Sequence, residues 1–203
     1  MVERPLRERV IEIECPAEDV VRGRSLRKLV PRGALAQLIP SPRGAVEILV
    51  EQNRNRVQSL VPLRFARMLT DPFAFYRGSA AVMAADLAAS PDSGIVVLAC
   101  GDAHLSNFGV YAGPHRSLVF DLNDFDEASQ APAEWDLKRL VTSVIIGGRN
   151  AGYPEKAIRK SAARTVIAYR DGLRDVLAMD VLERYYLRFE PERDRDRIGG
   201  SLA

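Results

Sequence analysis

Gly101-Asp102-Ala103-His104-Leu105-Ser106-Asn107-Phe108-Gly109, with Val119-Phe120-Asp121-Leu122-Asn123-Asp124-Phe125-Asp126-Glu127 close behind it, is the stretch on which the reading of this chain turns. A β-branched run, Ile95-Val96-Val97-Leu98, leads into the first cluster, and Leu118-Val119-Phe120 leads into the second. Each run predicts a short strand. Between them, Ala112-Gly113-Pro114-His115-Arg116 carries the Gly-Pro punctuation of a turn, so the two strands are expected to pair and set the acidic clusters side by side.

Charge is distributed unevenly around these clusters. The net charge is only +2, yet residues 68–136 hold 2 Lys+Arg against 10 Asp+Glu, whereas residues 1–67 hold 13 against 8 and residues 137–203 hold 14 against 9. So many carboxylates in one third of the chain repel one another unless a cation neutralises them, which favours an oxygen-bound divalent metal. Asp71, Asp86 and Asp92 are read as solvent-facing; the cluster after Phe120 is not. With 203 residues, 47% of them hydrophobic and 28% charged, the composition is that of a water-soluble globular protein. Apolar stretches of about ten residues are too short to cross a bilayer, and Met-Val-Glu-Arg-Pro-Leu-Arg at the start lacks the apolar core of a secretion signal, so a cytoplasmic location is expected. Cys15 and Cys100 cannot form a disulfide framework and have no Cys or His at zinc-ligand spacing; Cys100 reads as a small buried residue at a strand end.

Along the chain, residues 1–43 are rich in Arg, Pro and Gly and read as a poorly ordered arm. Its arginines are mixed with Glu and Asp and have no aromatics among them, so neither nucleic acid nor membrane is expected as a partner. From Gly44 a helical period runs through Val46, Leu49, Val50, Val57 and Leu60 until Pro62 interrupts it, and a shorter helix follows through Phe65, Met68 and Leu69. Asp71-Pro72 then reads as N-cap and first residue of a helix extending to about residue 89. Within it, Arg77-Gly78 is unusual, since glycine costs a helix about 1 kcal/mol relative to Ala. Either the glycine admits another backbone or a ligand and Arg77 meets an anion, or Gly78 marks a helix crossing beside a surface arginine. After the strands, a helix opening at Pro132-Ala133-Glu134-Trp135-Asp136 is expected to bury Leu137, Leu140, Val141, Val144 and Ile145 and to end at Gly147-Gly148. A long helix from Pro154 to about residue 179 follows, striped by Ile158, Ala162, Val166, Tyr169, Leu173 and Val176, then a short one around residues 181–189. The charge-alternating tail, 190–203, is expected to be disordered. The fold class is therefore α+β and mostly helical, with a short β-hairpin carrying the site in a body spanning residues 44–189.

A loop holding Asp102, His104 and Asn107 between flexible glycines can present a carboxylate and an amide oxygen to one centre. Strand parity places Asp124 and Asp126 on one face and Asp121 on the other unless Leu122-Asn123 turns the chain. Oxygen ligands of this kind suit magnesium, which usually works on phosphate. Three readings compete. In a phosphotransferase, Asp102 takes the proton of an acceptor hydroxyl while Asn107 and Asp124, with Asp121 as the further candidate, hold magnesium and a nucleotide supplies the phosphate. A two-metal phosphoesterase would need more histidines than His104 and His115. A binding module would keep the scaffold without turnover. His104 either takes part in proton transfer or braces the loop.

The run Gly101-Asp102-x-His104-x-x-Asn107 resembles the catalytic loop of the aminoglycoside phosphotransferase and choline kinase branch of the protein-kinase-like fold, and Asp124-Phe125-Asp126 resembles its metal segment. Trp135-Asp136-Leu137 stands where that branch starts a helix. The resemblance implies Asp102 as catalytic base, Asn107 and Asp124 as magnesium ligands, ATP or another nucleotide as phosphate donor, and Asp136 as a structural residue bonding the catalytic loop. Cys100 departs from it, standing where a histidine is usual. More closely, Glu51-Gln52-Asn53, Phe73-Ala74-Phe75-Tyr76-Arg77-Gly78, residues 100–109, residues 120–127 and Glu134-Trp135-Asp136-Leu137-Lys138-Arg139-Leu140 resemble a bacterial family known as domain of unknown function 2252. Members of that family are commonly about twice this long. No G-x-G-x-x-G precedes the catalytic loop, and none of Lys28, Lys138, Lys156 and Lys160 sits in a convincing strand. The chain is therefore expected to be the catalytic and metal half of a phosphotransferase of unspecified acceptor, lacking its nucleotide-gripping part.

Overall fold

A computed structural model of the chain describes residues 17–113 and 116–194. Cys15, His115 and residues 195–203 of the charged tail lie outside the described residues. The fold is α+β, mostly helical, with two small antiparallel sheets.

The strand pairing differs from the expected one. β1 (Val96–Ala99) pairs with β4 (Ser129–Pro132), Val96 opposite Pro132 and Ala99 opposite Ser129. The second apolar run, β3 (Leu118–Leu122), pairs with β2 (Phe108–Ala112), Phe108 opposite Leu122. The reason is local: a tight turn joins nearest neighbours, and here Gly113 N–H donates to Ser117 O at 2.8 Å. Stacked Phe108 and Phe120 rings, 6.2 Å between centroids, add a cross-strand pair to the hairpin. The acidic clusters meet all the same, because Asn123 N–H donates to Asn107 O across the base of the hairpin at 2.9 Å.

Three helical expectations are also corrected. α2 (Ala45–Asn53) stops well before Leu60: Asn53 is buried, its carbonyl takes the Gln58 amide at 2.8 Å, and its side chain takes Arg64 Nη1 at 3.1 Å, so side chains replace the helix ladder. Pro62 then stands in the first turn of α3 (Val61–Met68), where its missing N–H is no loss. Asp71 caps α4 (Pro72–Arg77) as read, Oδ1 accepting from Ala74 N–H at 2.8 Å. The helix that follows is nonetheless broken, and α5 (Ala80–Ala88) restarts after Gly78-Ser79. A Cβ on Gly78 would lie 2.7 Å from Met68 Cγ, and the Gly78 carbonyl accepts from Arg64 Nη2 at 2.6 Å instead of continuing the ladder.

α6 (Glu134–Asn150) runs straight through Gly147-Gly148. These glycines are contact points: a Cβ on Gly148 would lie 2.9 Å from Ile158 Cγ1, and one on Gly147 3.3 Å from the Phe73 ring. Close packing of α4 and of α7 (Glu155–Leu177) offsets the helix cost of the two glycines. α7 packs chiefly on α6, which is why only Ile158 and Ala162 of its stripe are buried while Val166, Tyr169 and Leu173 stay exposed. α8 (Val181–Tyr186) opens with a capping box between Asp180 and Glu183.

At the flanks, α1 (Ala17–Leu29) is helical within the stretch read as an arm but buries none of its residues. Beyond it the chain is tied to α5: Ile39 N–H donates to Ser90 Oγ at 2.8 Å and Ser41 N–H to Asp86 Oδ1 at 2.7 Å. At the other end Phe120 N–H donates to Phe189 O at 2.9 Å, and Glu190 is buried beside Ser117 and Arg188. No helix among the described residues is long and apolar enough to cross a membrane.

Candidate active site

One face of α6 builds the site. Asp136, Arg139 and Ser143 fall at i, i+3 and i+7, which puts three polar side chains on one stripe of the helix. Each holds a different part of the loop that follows β1. Asp136 accepts from Cys100 N–H at 2.7 Å and from Gly101 N–H at 3.0 Å, the loop-bonding role the resemblance implied. Ser143, fully buried, accepts from Leu105 N–H at 3.0 Å. Arg139 holds Asp102: Nε donates to Oδ1 at 2.6 Å, and Nη2 is paired with the same oxygen at 2.5 Å.

Arg139 is 3% exposed, so its charge has been taken out of water and every donor needs a partner. Nη2 also donates to Tyr76 O at 3.0 Å, and the guanidinium carbon lies 4.5 Å from the centre of the Tyr76 ring, a cation–π contact. The Tyr76 hydroxyl closes the arrangement by donating to Arg139 O at 2.8 Å, and burial pushes its pKa up to about 12, so it stays a neutral donor. Asp102 Oδ1 is thereby saturated. Oδ2 receives no hydrogen bond from a described residue, and Asp102 lines a cleft of about 820 Å³ between α3, α4 and the loop after β1.

Asn107 joins the two clusters. Its amide nitrogen donates to Asp102 O at 3.0 Å and to Asp124 O at 2.9 Å, while its oxygen accepts from Asp124 N–H at 2.9 Å. One buried side chain thus sets the spacing between Asp102 and Asp124, and its oxygen keeps one lone pair. Asp124 Oδ1 accepts from Asp126 N–H at 3.0 Å. Its carboxylate lines both the large cleft and a smaller one of about 240 Å³, where Asp126 joins it. Asp121 is placed elsewhere: it lies within β3 opposite Gly109, its Oδ1 accepts from Leu122 N–H at 2.8 Å, and it lines neither cleft. Arg77 lines both clefts beside Asp102 and Asp124.

The family model described as "Uncharacterized protein conserved in bacteria (DUF2252)" matches residues 56–199, which include every residue of this site. The chain belongs to that family. No curated protein and no solved structure matches. Neither comparison bears on the kinase-like resemblance of this DUF2252 chain.

His104 is buried, with Nε2 3.6 Å from Asp102 Oδ2 and Nδ1 without a hydrogen-bond partner. Its main chain braces the loop, N–H donating to Asp102 O at 2.8 Å and O accepting from Asn107 N–H at 2.9 Å. Burial holds the imidazole pKa below its ordinary 6.5; Asp102 opposes this, and Arg139 and Arg77 add to it. The folded protein therefore prefers the neutral ring, and the unfolded chain binds the proton first as pH falls. His104 is expected to make the DUF2252 fold lose stability as pH drops below about 6.5, the loss levelling off below the folded-state pKa. Urea unfolding of wild type and His104→Gln between pH 5 and pH 8 checks this, since the variant lacks that part of the slope.

The Cys100 thiol is buried beneath the loop, its Sγ 3.6 Å from Asp124 O, and burial raises its pKa, as expected of a packing residue. Gly101 is the most constrained backbone point of the site: φ is +82°, and a Cβ would lie 2.2 Å from Glu127 O. Gly101→Ala is expected to cost about 3 kcal/mol, from left-handed strain together with a clash against main chain. Thermal unfolding measures it, and a cost near zero would show that this contact is not maintained.

Arg139 was missed in the sequence reading because the helix was read for its apolar face. The signal was present in the i, i+3, i+7 spacing of Asp136, Arg139 and Ser143.

Proposed function

We propose that this chain is a metal-dependent phosphotransferase that uses a nucleotide as phosphate donor, with Asp102 as general base. The observation that carries the reading is the coupling of two carboxylates of different standing through Asn107: Asp102, fixed by Arg139 with Oδ2 open to the cleft, and Asp124, open to both clefts.

The donor set fits magnesium. Among the described residues no group of three or more His, Cys, Asp or Glu stands together as a metal cage. Magnesium does not need one, since it is usually held by one or two protein carboxylates together with substrate phosphates. Asp124 and the remaining lone pair of the Asn107 oxygen are the ligands offered, with Asp126 beside them. When bound, magnesium supplies charge neutralisation for the transferring phosphoryl group.

The residues of the chain do the rest. Asp102 Oδ2 accepts the hydroxyl proton of the acceptor as its oxygen bonds to the terminal phosphorus and the bond from that phosphorus to the nucleotide's bridging oxygen breaks. Arg139 keeps the carboxylate from rotating, so that Oδ2 is the oxygen presented. Arg77 lines both clefts, and His104 stays neutral and holds the loop.

A fluorescent ATP analogue titrated with magnesium and with EDTA, on this chain and on one extended beyond residue 203, tests the reading. Saturable magnesium-dependent binding is expected. No binding by either protein, with or without magnesium, removes the phosphotransferase reading in favour of a binding module.

A further inference from the structure

The 820 Å³ cleft is lined by three carboxylates and three guanidiniums. Of the carboxylates lining it, Asp71 caps α4, Asp102 is paired with buried Arg139, and Asp124 receives the Asp126 N–H. Arg64, Arg67 and Arg77 line the same cleft. Arg64 is a strut, donating to Asn53, Gln52 and the Gly78 carbonyl and so fixing α3 against the junction of α4 and α5. Arg67, one turn on from Arg64, and Arg77, next to Gly78, ride on that braced frame. Neither has a hydrogen-bond or ion-pair partner among the described residues. The charge of Arg77 is nonetheless felt at His104, which places it close to the catalytic loop.

We propose that this cleft seats the phosphoryl acceptor, and that the acceptor is a hydroxyl compound carrying an anionic group of its own, phosphate or carboxylate, bound by Arg67 and Arg77. The inference rests on the phosphotransferase reading for the word acceptor, but the anion seat stands on the cleft alone. Two unpaired guanidiniums lining one cleft repel a cationic acceptor and offer charge-assisted, fork-like donors to an oxyanion. The volume suits a small organic molecule and far exceeds what a water acceptor needs. Asp102 Oδ2 lies in the same cleft, so a bound anion leaves the hydroxyl of the same molecule within the space the base faces.

Calorimetric titration of the full chain with glycerol 3-phosphate and with glycerate, in EDTA, tests the seat and tells phosphate from carboxylate by which binds more tightly. Both arginines are exposed, so Arg67→Gln and Arg77→Gln are expected to fold, which circular dichroism verifies. Each substitution is expected to raise the Kd of the tighter anion about tenfold, the loss of one charge-assisted contact. Ethanolamine is expected not to bind. An anion affinity unchanged by both substitutions, no saturable binding of either anion, or tighter binding of ethanolamine overturns the proposal. Repeating the anion titration with magnesium and ADP present assigns the seat. Simultaneous binding supports the acceptor, and mutual displacement overturns that assignment by giving the seat to the nucleotide's own phosphates. If magnesium and ADP bind neither to this chain nor to one extended beyond residue 203, the phosphotransferase reading falls while the anion titrations still decide the seat.

Discussion

Arg139→Ala is expected to lower the stability of the protein by about 3 kcal/mol, because removing one partner of a buried ion pair strands the other. The side chain is 3% exposed, is paired with Asp102 Oδ1, donates to Tyr76 O, and lies 4.5 Å over the Tyr76 ring, so three kinds of contact go at once. Asp102 keeps partial access to water, with 22% of its side chain exposed, which is why the expected cost sits at the lower end of the range for buried pairs. For a chain of this size, that loss lowers the melting temperature by roughly 6–12 °C. Arg139→Lys recovers only a fraction, since an ammonium group can neither fork onto one carboxylate oxygen nor stack on tyrosine. Thermal unfolding of the three proteins decides it. A loss below about 1 kcal/mol, the size expected of an exposed pair, would show that Arg139 does not hold Asp102.

Asp102→Asn carries the second large effect. If Asp102 is the base, magnesium-dependent phosphoryl transfer is expected to fall about a thousandfold, within the range general bases contribute. An amide at this position also leaves Arg139 without its counter-charge, so stability falls as well and has to be separated from chemistry. Nucleotide affinity makes that separation: the variant is expected to bind nucleotide with magnesium as the wild type does, because Asp124 and Asn107 are untouched. Transfer at the wild-type rate by a folded Asp102→Asn protein removes the assignment.

Much of this site was legible in the sequence, and the reasons are local. Asp102, Asn107 and Asp124 stand in short segments between glycines and apolar runs, where spacing alone limits what can meet. The loop-bonding role of Asp136, twelve residues after Asp124, was implied by the resemblance rather than by spacing, and is seen in its bonds to Cys100 and Gly101. Other features depend on partners that no local pattern announces. β4 is Ser-Gln-Ala-Pro, with no apolar alternation and a proline at its end, so nothing marked it as the strand that pairs with β1. Gly147-Gly148 looked like a stop because glycine costs a helix, and only the approach of Ile158 and Phe73 shows why the cost is accepted. Gly78 is the converse: an apparent helix interior that breaks because Met68 and Arg64 occupy its space and its carbonyl. The polar stripe of α6 fell between these cases, readable in principle from its spacing but hidden behind an apolar face that was easier to see.

The account turns on Asn107 and Asp124 holding magnesium against a nucleotide's phosphates, with Asp121 outside the site. Titration of the fluorescent ATP analogue with magnesium into wild type, Asp124→Asn and Asp121→Asn puts that claim to measurement. The account predicts that Asp124→Asn abolishes the magnesium-dependent part of binding while Asp121→Asn leaves it unchanged. Magnesium-dependent binding that survives Asp124→Asn, or that is lost on Asp121→Asn, contradicts it.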